Sequence, residues 1–281
     1  MNLQKEQGID LGQKEELKKI LTGLSSRNLV DSKGGFWFLK GRDFLVKERE
    51  RREVISENNL KKAGRILKKI NHAPFLKGVF ISGSLGMRNA SEKSDIDFLV
   101  VAKKGRIFTV RFFLTLILDF LGERRKPGKI AGKICLNHYL TEDALKVNGT
   151  QNVYGSYLYF HNFPVINRDN IFEKFKKSNN WMKEFLIFWQ RNFEPPFKVK
   201  DKSILAKFLE KILSGNFGNF IEKKLKEKQI KRKEKNYPNG VKKGRVVLKD
   251  NLIELFPFSP EEIILRKYQK NLSEFGIEPT E

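Results

Sequence analysis

The stretch Ile81-Ser82-Gly83-Ser84, followed ten residues later by Ser94-Asp95-Ile96-Asp97-Phe98-Leu99-Val100-Val101, constrains this chain more than any other. One apolar strand ends in a small Gly-Ser turn, and the next opens on two carboxylates separated by a single residue. Side chains at i and i+2 of a strand share a face, so both acids can point the same way. Phe98 to Ala102 is an uninterrupted apolar run of strand length, which suits a strand buried on both faces with the aspartates at its polar entrance.

Two like charges that close repel strongly unless a cation lies between them. Mg²⁺ is the natural choice, because it takes carboxylate oxygens and keeps open positions for substrate phosphates; Mn²⁺ is an alternative. The turn supplies the other half of a site. Without a side chain at Gly83 the backbone can approach a phosphate closely, and the Ser84 hydroxyl and the amides opening the next short helix can donate to it. The bland alternative is an ordinary turn beside a solvated strand end.

This combination resembles the DNA polymerase β-type nucleotidyltransferase superfamily, whose signature is an apolar residue, Gly, Gly or Ser, a gap of about ten residues, and Asp-X-Asp or Asp-X-Glu between apolar residues. The resemblance covers residues 77 to 102 and, more weakly, the order of elements to about residue 142. It implies Asp95 and Asp97 as catalytic metal ligands for two Mg²⁺ ions, and Gly83, Ser84, Arg88 and Ser94 as the nucleotide-binding residues. The implied reaction moves a nucleoside monophosphate from a triphosphate to a hydroxyl or amine and releases pyrophosphate. The family places a third carboxylate on a later strand. Here the corresponding run, Lys133 to Thr141, has Asn137 at its central polar position, with His138 expected on the opposite face. Asn137 can coordinate metal through its carbonyl but cannot act as a base. Glu142 and Asp143, just beyond the strand, are the possible substitutes. Arg106 and Arg111 join Arg88 as candidates to neutralise phosphate charge. The competing expectation is a weakly active or inactive regulator that binds nucleotide and nucleic acid.

At 281 residues and 40% hydrophobic, the chain can bury a sizeable core in two or three modules. Lys and Arg outnumber Asp and Glu by 56 to 33, a formal charge of +23. That balance suits RNA, DNA or nucleotide partners, although a lysine-rich proteome produces the same bias. The single cysteine, Cys135, excludes an internal disulfide and reads as a buried strand residue in a reducing cytoplasm. Met1 to Asp10 is polar, so no secretory leader is expected. The most apolar segment, Ile107 to Leu121, is short for a bilayer and carries Arg111 and Asp119, so no membrane partner is expected and the segment reads as a helix packed across the sheet.

The expected fold is α+β: a mixed sheet flanked by helices at 49–145, a winged-helix-like module at 1–48 and a mainly helical domain at 146–281. In the first module a helix over Glu15–Leu24 precedes the strand Phe36–Leu39, and Lys40-Gly41 is a hairpin turn into Phe44–Val46. A long charged helix then runs from Lys47 to Ile70. Beyond residue 145, Trp181 to Phe193 and Ser203 to Leu213 have helical spacing. Gly215 to Phe220 interrupts before the basic run Lys223–Lys235, and Val246–Leu248 with Leu252–Phe256 form a hairpin before a last helix over Pro260–Phe275. The sequence holds no zinc-ligand cluster, Walker loop or Ser-His-Asp arrangement.

Overall fold

A computed structural model describes residues 11–186, 197, 199 and 201–274. Helix α1 (Leu11–Ser26) leads into a hairpin of β1 (Val30–Lys33) and β2 (Phe36–Leu39). The turn is Gly34-Gly35, both at positive φ (58° and 78°), which is the backbone a two-residue hairpin turn demands. Lys40-Gly41 therefore does not make the hairpin. Phe44 to Val46, expected as its second strand, instead begins helix α2 (Phe44–Ile70). Helical periodicity overrides the local strand preference there: Val46, Leu60, Ala63, Leu67 and Ile70 are buried at helical spacings along one face.

The central sheet is built from β3 (Leu76–Ile81), the single-turn helix α3 (Gly83–Gly86), β4 (Ile96–Ala102), the crossover helix α4 (Ile107–Phe120) and β5 (Ile134–Thr141). Then follow α5 (Val153–Phe160), β6 (Phe163–Asn167), α6 (Ile171–Ser178), a 3-10 turn at Asn180–Glu184, α7 (Ile204–Ile212), α8 (Gly215–Asn236), β7 (Arg245–Leu248), β8 (Leu252–Phe256) and α9 (Glu261–Glu274). Strand order is β6-β3-β4-β5-β8-β7, and only β4 and β5 run parallel. The parallel step needs a long crossover, which α4 supplies. The architecture is thus α+β, with one mixed six-stranded sheet.

Strand alternation divides the core between two faces. Val79, Ile81, Phe98 and Val100 pack with Leu67 and Ile70 of α2 and Leu114 and Leu118 of α4. Phe80, Leu99 and Val101 pack on the other face with Tyr159 of α5 and Phe175 of α6. Each such side chain, fully buried, contributes about 1.5–3 kcal/mol.

The boundary expected at residue 145 falls inside this sheet, because β6 extends it beyond β3 and the β7–β8 hairpin extends it beyond β5. The run Phe163-Pro-Val-Ile-Asn is short, and Pro164 suits only an edge strand, which weakens its strand signal. The expected interruption at Gly215–Phe220 is the first part of α8. Gly218 fits because a Cβ there would lie 1.6 Å from the Leu213 carbonyl oxygen. The helix expected over Trp181–Phe193 begins as the 3-10 turn, and its part from Ile187 lies outside the described residues.

Helix α8 is latched to the crossover. The Glu222 carboxylate accepts from the Phe108 and Thr109 amides (2.9 and 2.8 Å) and from Thr109 Oγ1 (2.5 Å), so it caps the otherwise open N-terminus of α4. Among the described residues no helix is long and apolar enough to cross a membrane.

Candidate functional site

The end of β3 and the start of β4 meet at Ser82, whose amide donates to the Asp97 carbonyl at 3.0 Å. Gly83 follows with φ +62°, and a Cβ placed on it would lie 2.3 Å from Asp97 Oδ2. The position therefore tolerates neither a side chain nor an ordinary backbone, and the Asp97 carboxylate lies against the main chain of the turn. Ligand atoms of Asp95, Asp97 and Cys135 all fall within 4.8 Å of one another.

Parallel pairing explains how Cys135 arrives there, since its register partner on β4 is Asp97. The next pair is Leu99 with His138, so two residues of β5, Leu136 and Asn137, face the single residue Phe98. This bulge turns Asn137 toward the acids, where its Nδ2 donates to Asp97 Oδ1 at 3.0 Å. It also puts His138 on the same face, not the opposite one: the imidazole packs on Tyr159 and Phe256 with ring centroids 5.8 Å away. Burial lowers its pKa to about 3, so it is a neutral packing group.

Electrostatics at the pair follow from crowding. Burial and then the neighbouring Asp95 charge raise the Asp97 pKa to about 6, against the hydrogen bond from Asn137. Burial beside the same two acids pushes the Cys135 thiol well above its usual range, which leaves it neutral. A cation already balances part of this charge. Arg125, on the segment between α4 and β5, sets Nη1 2.8 Å from Asp95 Oδ2 and 3.3 Å from Cys135 Sγ. The chain matches no family model, no curated protein and no solved structure.

Of the other expected site residues, Ser84 adjoins Gly83 and the rest are dispersed. Ser84 lies in α3, half-buried. Ser94 is occupied within its own turn, its hydroxyl accepting from the Ser91 amide at 3.0 Å and pairing with the Ser91 hydroxyl. Arg88 reaches back to Glu57 on α2 at 3.2 Å, and its carbonyl accepts from Arg49. Arg106 and Arg111 bind Asn219 and Gln229 of α8. Glu142 pairs with Lys77 and Asp143 with Lys104, at the far end of β5, about 23 Å along the strand from Cys135. Neither can stand in for a third carboxylate.

Two members of the cluster escaped the sequence reading. Cys135 shares strand parity with Asn137, which is a usable signal. Arg125 sits in the run Glu123-Arg-Arg-Lys126, where nothing in the sequence distinguishes one cation from the next. The donor set suits a hard cation: the carboxylates of Asp95 and Asp97, and the Asn137 amide oxygen if its side chain turns over, are the ligands Mg²⁺ or Mn²⁺ accept. A neutral thiol does not supply the thiolate that softer metals prefer.

Proposed function

We propose that the protein is a metal-dependent nucleotidyltransferase, moving a nucleoside monophosphate from a triphosphate to a hydroxyl or amine acceptor with release of pyrophosphate. The observation that carries the reading is the close approach of Asp97 to Gly83, which brings the acid pair beside the Gly-Ser turn. Asp95 and Asp97 would hold the metal, and the Asn137 amide oxygen, once its side chain turns over, is the third candidate ligand. Bound there, a divalent ion would stabilise the charge that develops on the phosphoryl oxygens during in-line displacement. The Ser82–Ser84 turn, whose Gly83 lies against Asp97, is the segment that would orient the phosphates. Arg88 and Ser94, engaged elsewhere, act by holding the turn and its approach to β4.

Asn137 supports a second reading. It donates to Asp97 where a proton-accepting carboxylate would be expected, and it cannot take a proton from an attacking hydroxyl. A protein of this kind can bind nucleotide without turning it over, and use its positive charge, with the α1–β1–β2 region as a winged-helix-like module, on RNA or DNA.

Mg²⁺-dependent pyrophosphate release from labelled triphosphates in cell extract separates the two. Release that disappears in the Asp95→Ala, Asp97→Ala double variant supports transfer. No release with any acceptor, together with salt-sensitive nucleic-acid binding, supports the regulator.

A further inference from the structure

The acid pair lies beside a positive charge of its own. Arg124 and Lys126 on the segment before β5 both pair with Asp119, and Lys133 pairs with Glu123. Arg125, between them, extends instead to Asp95 and Cys135. Its main chain is fixed, the amide donating to the Ile134 carbonyl at 2.9 Å. Its side chain, which makes both contacts, is 43% exposed, against 17% for Asp95. The main-chain anchor is separate from the ion pair, and water reaches the side chain that makes it.

A divalent ion ligated by Asp95 would lie within a few ångströms of that tip, and two cations so close repel each other strongly at the partly solvated edge of a protein. One of them must yield. The metal is held by two carboxylates, while the guanidinium has one carboxylate and a neutral sulfur. A planar guanidinium released beside a triphosphate site is the side chain best suited to pair with phosphate oxygens.

We propose that Arg125 is a built-in competing cation, which holds Asp95 in the metal-free protein, gives way to the divalent ion, and then pairs with the triphosphate. The inference rests on the metal-site reading of the acid pair given above.

The test is Mn²⁺ titration of the full chain without nucleotide, read by the paramagnetic resonance signal of free Mn²⁺, followed by binding of an α,β-methylene triphosphate at saturating Mn²⁺. Arg125→Ala is expected to bind Mn²⁺ about fivefold more tightly than wild type and the analogue about fivefold more weakly. Arg125→Lys, which keeps the charge but loses the fork, should stay closer to wild type for Mn²⁺ and still bind the analogue weakly. Unchanged or weaker Mn²⁺ binding in Arg125→Ala overturns the competition, and unchanged analogue binding overturns the transfer to phosphate. The Asp95→Ala, Asp97→Ala variant tells the two readings apart. If it loses Mn²⁺ while Arg125→Ala behaves as wild type, only the role of Arg125 falls; if it binds Mn²⁺ normally, the metal site falls and Arg125 with it.

Discussion

Asn137 donates a hydrogen bond from Nδ2 to Oδ1 of Asp97 across 3.0 Å, at the bulge where β5 has one residue more than β4. The amide therefore steadies a carboxylate that its surroundings disfavour. Replacing it by aspartate turns a donor into a third negative charge. Asn137→Asp should lower stability without metal by about 1–2 kcal/mol, from the lost hydrogen bond and the added repulsion. Added Mn²⁺ should reverse the loss, because a third carboxylate strengthens the cation site. Thermal unfolding in EDTA and in excess Mn²⁺ measures both effects. A melting temperature insensitive to Mn²⁺ in this variant would place residue 137 outside the metal's coordination.

Gly83→Ala tests whether the turn and the acid pair form one pocket. The methyl group meets Asp97 Oδ2 at 2.3 Å and the backbone is left-handed, so the variant must move the carboxylate as well as strain the chain. Loss of about 1–3 kcal/mol in stability and about tenfold in Mn²⁺ affinity is expected. Gly41→Ala is the control, at φ +78° with open space around the added carbon. It should cost about 1 kcal/mol of backbone strain and leave Mn²⁺ binding alone.

Asp97 also gives a pH signature. Its folded pKa, about 6, lies above the usual 3.8, so the folded state binds the proton more tightly than the unfolded chain. Below pH 3.8 both states are protonated and the residue is neutral to stability. As pH rises through 6 the folded protein must bear a disfavoured charge, and stability falls. Asp97→Asn removes that cost. The variant should match wild type near pH 3.5 and exceed it by roughly 1–2 kcal/mol above pH 7 in metal-free buffer, allowing for partial solvent contact. Urea unfolding across that range checks the direction; a gain that is constant with pH would show that the carboxylate is not the source.

The parts of the fold legible in sequence were those with local causes. The apolar runs of β3 and β4, the helical spacing of α2 and α4, and the hairpin of Val246–Leu248 with Leu252–Phe256 each carry their own signal. What joins distant segments does not. Pro164 conceals β6 as an edge strand, and no local feature says that the β7–β8 hairpin pairs with β5. At the site, the Asp95–Asp97 step and Gly83 were readable from spacing, because strand parity and turn chemistry follow from a few residues. Arg125 was not, because choosing it over Arg124 or Lys126 requires knowing that Asp119 takes both neighbours. The direction of His138 depended on a bulge, and one extra residue reverses a strand's parity.

Glu222 ties the C-terminal helix α8 to the crossover that delivers β5 and the Arg125 segment. Its two oxygens receive three donors at the start of α4, two of them backbone amides with no partner inside the helix. Glu222→Ala leaves those amides to water and removes a negative charge from a helix N-terminus, a change worth about 1–3 kcal/mol. Glu222→Gln keeps one acceptor and should lose about half as much. Exchange of the Phe108 and Thr109 amide protons should quicken at least tenfold in the alanine variant, reporting fraying of the first turn of α4. Asp97 stands on β4 and Asp95 just before it, and the cap lies at the end of α4 that is distant in sequence from β5, so Mn²⁺ affinity should stay within about twofold of wild type. Parallel loss of Mn²⁺ binding would show instead that the α4–α8 contact holds the site together.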